Sequence, residues 1–252
     1  MAYQFSSDGH QLAGCLARPE QIAHGGVPGL VICHGFPGQP REHLDTGVSY
    51  YELAERVATD VGWISLAFTY RGCGESESNF SLAGWVADIL NAVHHLDSFE
   101  DVTSVYVAGF GTGGALAIVA AAADELIRGV AAVSPPADFD DWKDDPDGLI
   151  GYARTVGVIS DPDFPSDVDA WRRELSEIKP VEAAGQMADR PLLLLHGADD
   201  EVIPVFDTRV LADAHGAADL RLISGAGHRL RFDPRAVAVF IGWLTRVQRL
   251  ST

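Results

Sequence analysis

Residues 105–123, VYVAGFGTGGALAIVAAAA, constrain the fold more than any other stretch of the chain. A β-branched and aromatic run, Val105-Tyr106-Val107, leads into a cluster of glycines at Gly109, Gly111, Gly113 and Gly114. From Ala115 to Ala123 no polar residue interrupts the apolar run. That order reads as a buried strand, a tight glycine turn and a helix buried nearly all round.

Two motifs compete for the turn. Gly109, Gly111 and Gly114 satisfy G-x-G-x-x-G, the dinucleotide fingerprint. Gly109-Phe110-Gly111-Thr112-Gly113 also fits the nucleophile elbow G-x-S-x-G, with glycine in the serine position. A dinucleotide site wants an acidic residue about 20 residues further on, at the end of the next strand. That strand, residues 129–133, ends in Ser134-Pro135-Pro136, and Asp138 follows only after both prolines. The elbow instead needs an acid and then a histidine downstream. His196-Gly197-Ala198-Asp199-Asp200 supplies the acid, and Gly225-Ala226-Gly227-His228 supplies the histidine. The flanks therefore favour the elbow.

With His34-Gly35-Phe36-Pro37-Gly38 upstream, these segments resemble the α/β-hydrolase family in their order and spacing, over nearly the whole chain. The resemblance implies a three-layer α/β-hydrolase fold, with a mostly parallel sheet flanked by helices and a small helical cap. Residues 1–134 and 181–252 would form the core, and residues 135–180 the cap. It also implies an oxyanion hole from the backbone amides of Phe36 and Thr112. Asp200, placed in D-x-x-I-P, is a better match than Asp199 to the family's acid, and His228 matches its base. The departure is Gly111, a vacant nucleophile position where the family carries serine.

The remaining segments agree with an α/β sheet. Residues 3–5 and 12–17 read as a hairpin around Ser7-Asp8-Gly9. Strands are expected at 30–33, 63–68, 192–195 and 220–223, and helices at 48–59, 81–97, 205–214 and 234–247. Residues 39–47 read as polar loop. Ser81 and Asp233 are candidate N-caps, the latter before Pro234. His94 and His95 fall near a helix C-terminus, where positive charge is favourable. In the cap segment, 151–158 and 169–177 have helical character. Six aspartates crowd residues 138–147, but Lys143 and Arg154 occupy the positions a calcium loop needs for its first and last ligands. No metal and no cofactor is expected.

Composition narrows the partners. A net charge of −18 opposes binding to nucleic acid or to an anionic membrane surface. Cys15, Cys33 and Cys73 lack metal or redox spacing, which points to free thiols, a reducing compartment and a cytoplasmic location. The expected partner is a small-molecule substrate or ligand, the acidic cap disfavouring anions, and a homo-oligomer is left open.

Three classes of function stay open. His228 and Asp200 can activate water or a substrate proton directly, on a small ester, a thioester or a C–C bond. The chain can instead be a non-catalytic binder that keeps the pocket, or a serine hydrolase carrying a substitution at its nucleophile. Thr112, Ser76, Ser78 and Ser134 are weak substitutes, with turn chemistry the simpler account of the serines.

Overall fold

The structure, a computed structural model, describes residues 3–38 and 46–250. Most of the polar loop expected at 39–47 lies outside these. Eight strands form one sheet: β1 (Tyr3–Ser7), β2 (His10–Ala17), β3 (Val27–Cys33), β4 (Ile64–Phe68), β5 (Val102–Phe110), β6 (Ile127–Val133), β7 (Leu192–Gly197) and β8 (Asp219–Ile223). Their order is β1-β2-β4-β3-β5-β6-β7-β8. The expected hairpin is present at the edge, with Phe5 opposite Leu12. Asp8 and Gly9 both take positive φ, 49° and 84°, a turn whose twist matches that of the two strands. β2 runs antiparallel to β4, and each later pairing is parallel.

Helices cover both faces. α1 (Thr46–Asp60) and α9 (Pro234–Leu250) pack on one side. α2 (Leu82–Asp97), α3 (Thr112–Ala123), α7 (Pro180–Gln186) and α8 (Val205–His215) pack on the other. Alternate residues of one strand feed the two cores: Leu30 and Ile32 face α1 and α9, whereas Val31 and Cys33 face α2 and α3. Burial on both faces explains why this strand is apolar without alternation. Among the described residues no helix is long and apolar enough to cross a membrane.

Both expected caps form. Ser81 Oγ accepts from the Gly84 amide at 3.0 Å, and Asp233 Oδ1 accepts from the Arg235 amide at 2.9 Å. The histidines at the end of α2 differ from expectation. His94 meets Asp124 at 2.9 Å, but His95 stacks on Phe5 and packs edge-on against Phe99. Burial lowers the pKa of His95, so packing rather than helix-end charge accounts for it.

α4 (Asp140–Asp144), α5 (Pro146–Thr155) and α6 (Val168–Glu177) lie between β6 and β7 in the chain. The aspartates of this stretch do cap chemistry: Asp145 accepts from the Gly148 amide, and Asp167 from the Ala170 amide. Trp171 Nε1 donates to the Phe80 carbonyl at 3.2 Å, and the Ser160 and Asp161 amides donate to Asn79. Together with Trp142, whose ring lies 5.1 Å from that of Phe36, these contacts seat the three helices over the carboxyl ends of the central strands. α7, which the sequence pattern does not reveal, packs with α3 and α8.

The chain passes from β3 outward to β4, then back across to β5 on the other side of β3. Connections leaving β3 and β5 therefore diverge, and a crevice opens at their carboxyl ends. α3 starts directly at that crevice and crosses very close to the sheet. A Cβ on Gly113 would stand 2.2 Å from the His34 carbonyl oxygen, a backbone atom that cannot swing aside. Gly113→Ala should accordingly cost about 1–3 kcal/mol or more through overpacking. That corresponds to a fall of about 2–12 °C in Tm for a chain of this size. Gly151→Ala, in α5 with nothing within 4 Å, should leave Tm unchanged or raise it slightly. Equal melting of the two variants would contradict this account of the crossing.

Candidate active site

Gly111 is the residue between β5 and α3. Its φ of 52° and ψ of −126° lie where side-chain-bearing residues are strained. The turn is tied on both sides: the Gly111 amide donates to the Val133 carbonyl at 2.8 Å, and its carbonyl accepts from the Gly114 and Ala115 amides. A Cβ placed on Gly111 would meet nothing closer than Gly35 Cα at 3.8 Å, and would lie 3.9 Å from His228 Nε2. Sterically, then, this turn could carry a side chain aimed at the His228 ring.

Asp200 reaches the site from the turn after β7. Its side chain is 0% exposed, and Oδ1 accepts from the amides of Val202 and Ile203 at 2.9 and 3.0 Å. Oδ2 accepts from His228 Nδ1 at 2.9 Å. Burial raises the pKa of Asp200, but the Ile203 amide, His228 and the Val202 amide outweigh it, and the net shift is downward. The carboxylate is thus charged at neutral pH. With Nδ1 donating to it, Nε2 of a neutral His228 carries the lone pair, and the His228 side chain is 32% exposed. Asp199 is exposed, so the structure separates the two adjacent aspartates.

His196, a role the sequence does not disclose, supports this carboxylate from behind. Its Nε2 donates to the Ile203 carbonyl at 3.0 Å and lies 3.3 Å from Asp200 Oδ2, while Nδ1 meets Thr208 Oγ1. Burial lowers its pKa, keeping it neutral.

His34 does a comparable task for residues 34–38. Nδ1–H donates to the Gly35 carbonyl at 2.7 Å, and Nε2 accepts from the Tyr70 amide at 3.2 Å. These two bonds require the neutral ring, and burial drives its pKa down to about 4. The loop so held carries Phe36, whose amide donates to no protein group among the described residues; the same is true of the Thr112 amide. Thr112 is the first residue of α3, where the helix dipole favours negative charge.

Gly111, Phe36, Thr112 and His228 border one cavity of about 710 Å³. Asp200 stands behind His228. Tyr50, Trp142 and Arg231 also line it, none of them singled out by a sequence motif. No serine or cysteine is found among the described residues of its wall. Ser76 is buried elsewhere, donating to the Thr69 carbonyl at 2.6 Å and accepting from the Ala13 amide at 2.9 Å. Ser134 is buried at the end of β6 with φ of 47°, and Ser78 sits in a turn with φ of 71°.

Comparison with known proteins agrees with this geometry at the level of fold. The profile of the alpha/beta hydrolase family matches residues 30–240. The Butyrivibrio proteoclasticus protein Est1E, in a structure with ferulic acid bound, is similar at 22% identity, with 97% of each chain covered and a TM-score of 0.68. The Pyrococcus furiosus esterase Pf2001 is similar at 19% identity, with 98% of this chain and 89% of that chain covered and a TM-score of 0.69. The alpha/beta hydrolase GrgF from Penicillium sp. sh18 is similar at 15% identity, with 98% of each chain covered and a TM-score of 0.73.

The buried neutral ring of His34 makes stability depend on pH. Its pKa is about 4 when folded, against 6.5 for an unperturbed histidine. Between those values the unfolded chain binds the extra proton, so this contribution is full above pH 6.5 and is lost as pH falls toward 4. Stability measured by denaturant titration should therefore decline over that interval. His34→Asn should flatten the decline. An unchanged slope in the variant would contradict the assignment of a neutral His34.

Proposed function

The chain belongs to the alpha/beta hydrolase family, and from that premise we propose that it is a hydrolase in which His228 and Asp200 activate water directly, with no covalent nucleophile. One observation carries the reading. The Cβ position of Gly111 lies 3.9 Å from His228 Nε2, in a cavity whose described wall holds no serine or cysteine. A water molecule taking the place of a serine hydroxyl fits within hydrogen-bond reach of the base, about 3 Å. Small esters or thioesters are the first substrate class, supported by the esterase among the similar structures. A C–C bond beside a carbonyl is the second.

In the ester reaction His228 Nε2 takes a proton from water as the water oxygen bonds to the substrate carbonyl carbon. The carbonyl oxygen gains the negative charge and receives hydrogen bonds from the Phe36 and Thr112 amides. The bond from the carbonyl carbon to oxygen or sulfur then breaks, and Nε2 returns the proton to the departing alcohol or thiol. Asp200 fixes the His228 tautomer and stabilises the imidazolium formed between the two steps. Cys15, Cys33 and Cys73 form no disulfide, which fits a reducing, cytoplasmic setting, and burial pushes the Cys33 thiol up to about 12, which leaves it inert.

Gly111 keeps a backbone conformation in which a serine would point at His228, and this favours a second reading, a serine hydrolase altered at one position. One pair of variants tests both. His228→Ala should lower kcat on a small activated ester such as p-nitrophenyl acetate by about 10²–10⁴-fold. Turnover unaffected by His228→Ala would end the first reading, and absence of any turnover in the unaltered protein would leave a binding role. Gly111→Ser should cost about 1–3 kcal/mol of stability from the strained turn alone. It should also make the protein react with a fluorophosphonate probe at residue 111. A folded Gly111→Ser protein that does not label would show that base and amides are not poised for a nucleophile there.

A further inference from the structure

Arg231 borders the same cavity, and no carboxylate among the described residues pairs with it. Its guanidinium carbon lies 4.4 Å from the Phe232 ring centroid and 5.1 Å from that of Tyr50. One Nη1–H reaches the Tyr50 hydroxyl at a long 3.4 Å. Nε is buried with no hydrogen-bond partner, and Nη2 donates to no protein group among the described residues. Three other arginines are each paired with carboxylates. Arg71 pairs with Asp8 and Asp88, Arg235 with Asp233, and Arg246 with Asp219.

A guanidinium cannot shed its charge near neutral pH, and an unmatched, partly desolvated N–H is costly. The two aromatic contacts offset part of that cost. They do not supply an acceptor. Held rigid beside the cavity with donors to spare, the group is preorganised for a planar anion, which it can grip through two parallel N–H bonds.

The rest of the wall sets the size of the charge. Arg229 adds a second, exposed cation, and Asp141 contributes a carboxylate. Among the described residues the wall thus carries two arginines against one carboxylate, on a protein of net charge −18. That balance suits a monoanion and opposes a phosphate ester of higher charge. Phe36 and Trp142 line the same cavity and offer an aromatic surface for an apolar body. Of the acidic 135–180 segment, Asp141 is the one carboxylate on this wall among the described residues.

We propose that Arg231 anchors a carboxylate carried by the substrate. The substrate class is then an acid whose carboxylate is joined, through a short apolar or aromatic spacer, to the carbonyl that reacts at His228. This rests on the hydrolase reading for the reacting end, but the anchor can be tested by itself.

Binding of 4-phenylbutyrate and of its neutral analogue 4-phenylbutyramide, measured by isothermal titration calorimetry at low salt, tests it without turnover. The wild-type protein should bind the acid at least about tenfold more tightly than the amide. Arg231→Met should erase that preference and leave amide affinity within about twofold of wild type, the margin expected of an uncharged contact. Should Arg231→Met not fold, Arg231→Gln gives the same readout. His228→Ala should keep the preference, so a failure of the hydrolase reading would leave the anchor standing. Equal affinity of the wild type for acid and amide, binding of neither, survival of the preference without Arg231, or its loss in Arg229→Met alone would overturn the proposal.

Discussion

The near-contact between α3 and the ends of β3 and β5 governs the arrangement of the site. Gly113 lies so close to the His34 carbonyl that only hydrogen fits between them. This closeness brings the start of α3 beside residues 34–38, and so sets the Phe36 and Thr112 amides on one cavity. A helix one side chain further from the sheet would move the Thr112 amide away from the Phe36 amide. The buried, neutral His34 completes the constraint from the other side, since its two bonds hold the Phe36 loop to the segment just after β4, at Tyr70. Polar groups at the site are therefore placed by backbone packing, and side-chain chemistry is added by β7 and by the loop after β8.

What the sequence made legible is what short range determines. The strand-turn-helix at 105–123 shows in a continuous run of residue types. The hairpin shows in Asp8-Gly9, and the helix starts show in Ser81 and Asp233. The acid and histidine segments were legible because their order along the chain is itself a constraint. Choosing Asp200 over Asp199 rested on spacing, and the geometry places Asp200 inward because its carboxylate closes on the Val202 and Ile203 amides. Elements that depend on tertiary packing were not legible. α7 is too short to show a period, and α4 is hidden in an aspartate run that looks like a ligand set or a solvated surface. His95 stands at a helix end, where sequence favours a cation, yet Phe5 and Phe99 make its surroundings apolar. His196 and Arg231 acquire their roles from residues distant in the chain, Thr208 and Tyr50 among them.

Charge is organised on two scales. The whole chain is acidic, which bears on solubility and on the partners it repels. Around the cavity the groups are arranged individually. Asp200 is stripped of solvent and held charged by two amides and a histidine, while Arg231 lies beside the Tyr50 and Phe232 rings with no carboxylate partner among the described residues. A buried carboxylate kept charged beside a half-buried imidazole would be wasteful as mere scaffolding. In the proposed reaction it stabilises the imidazolium that forms as His228 takes the proton. On the proposed reading, the turn at Gly111 leaves room for a water molecule where a serine hydroxyl would stand.

The absence of a covalent intermediate is the central claim, and intact-protein mass spectrometry tests it most directly. The protein would be mixed with excess p-nitrophenyl acetate and quenched in acid during steady turnover. The account predicts continuing release of nitrophenol, with no initial burst and no acetylated protein at any time point. An acetyl adduct that forms and decays at the rate of turnover, mapped to Thr112 or to any serine, would contradict it.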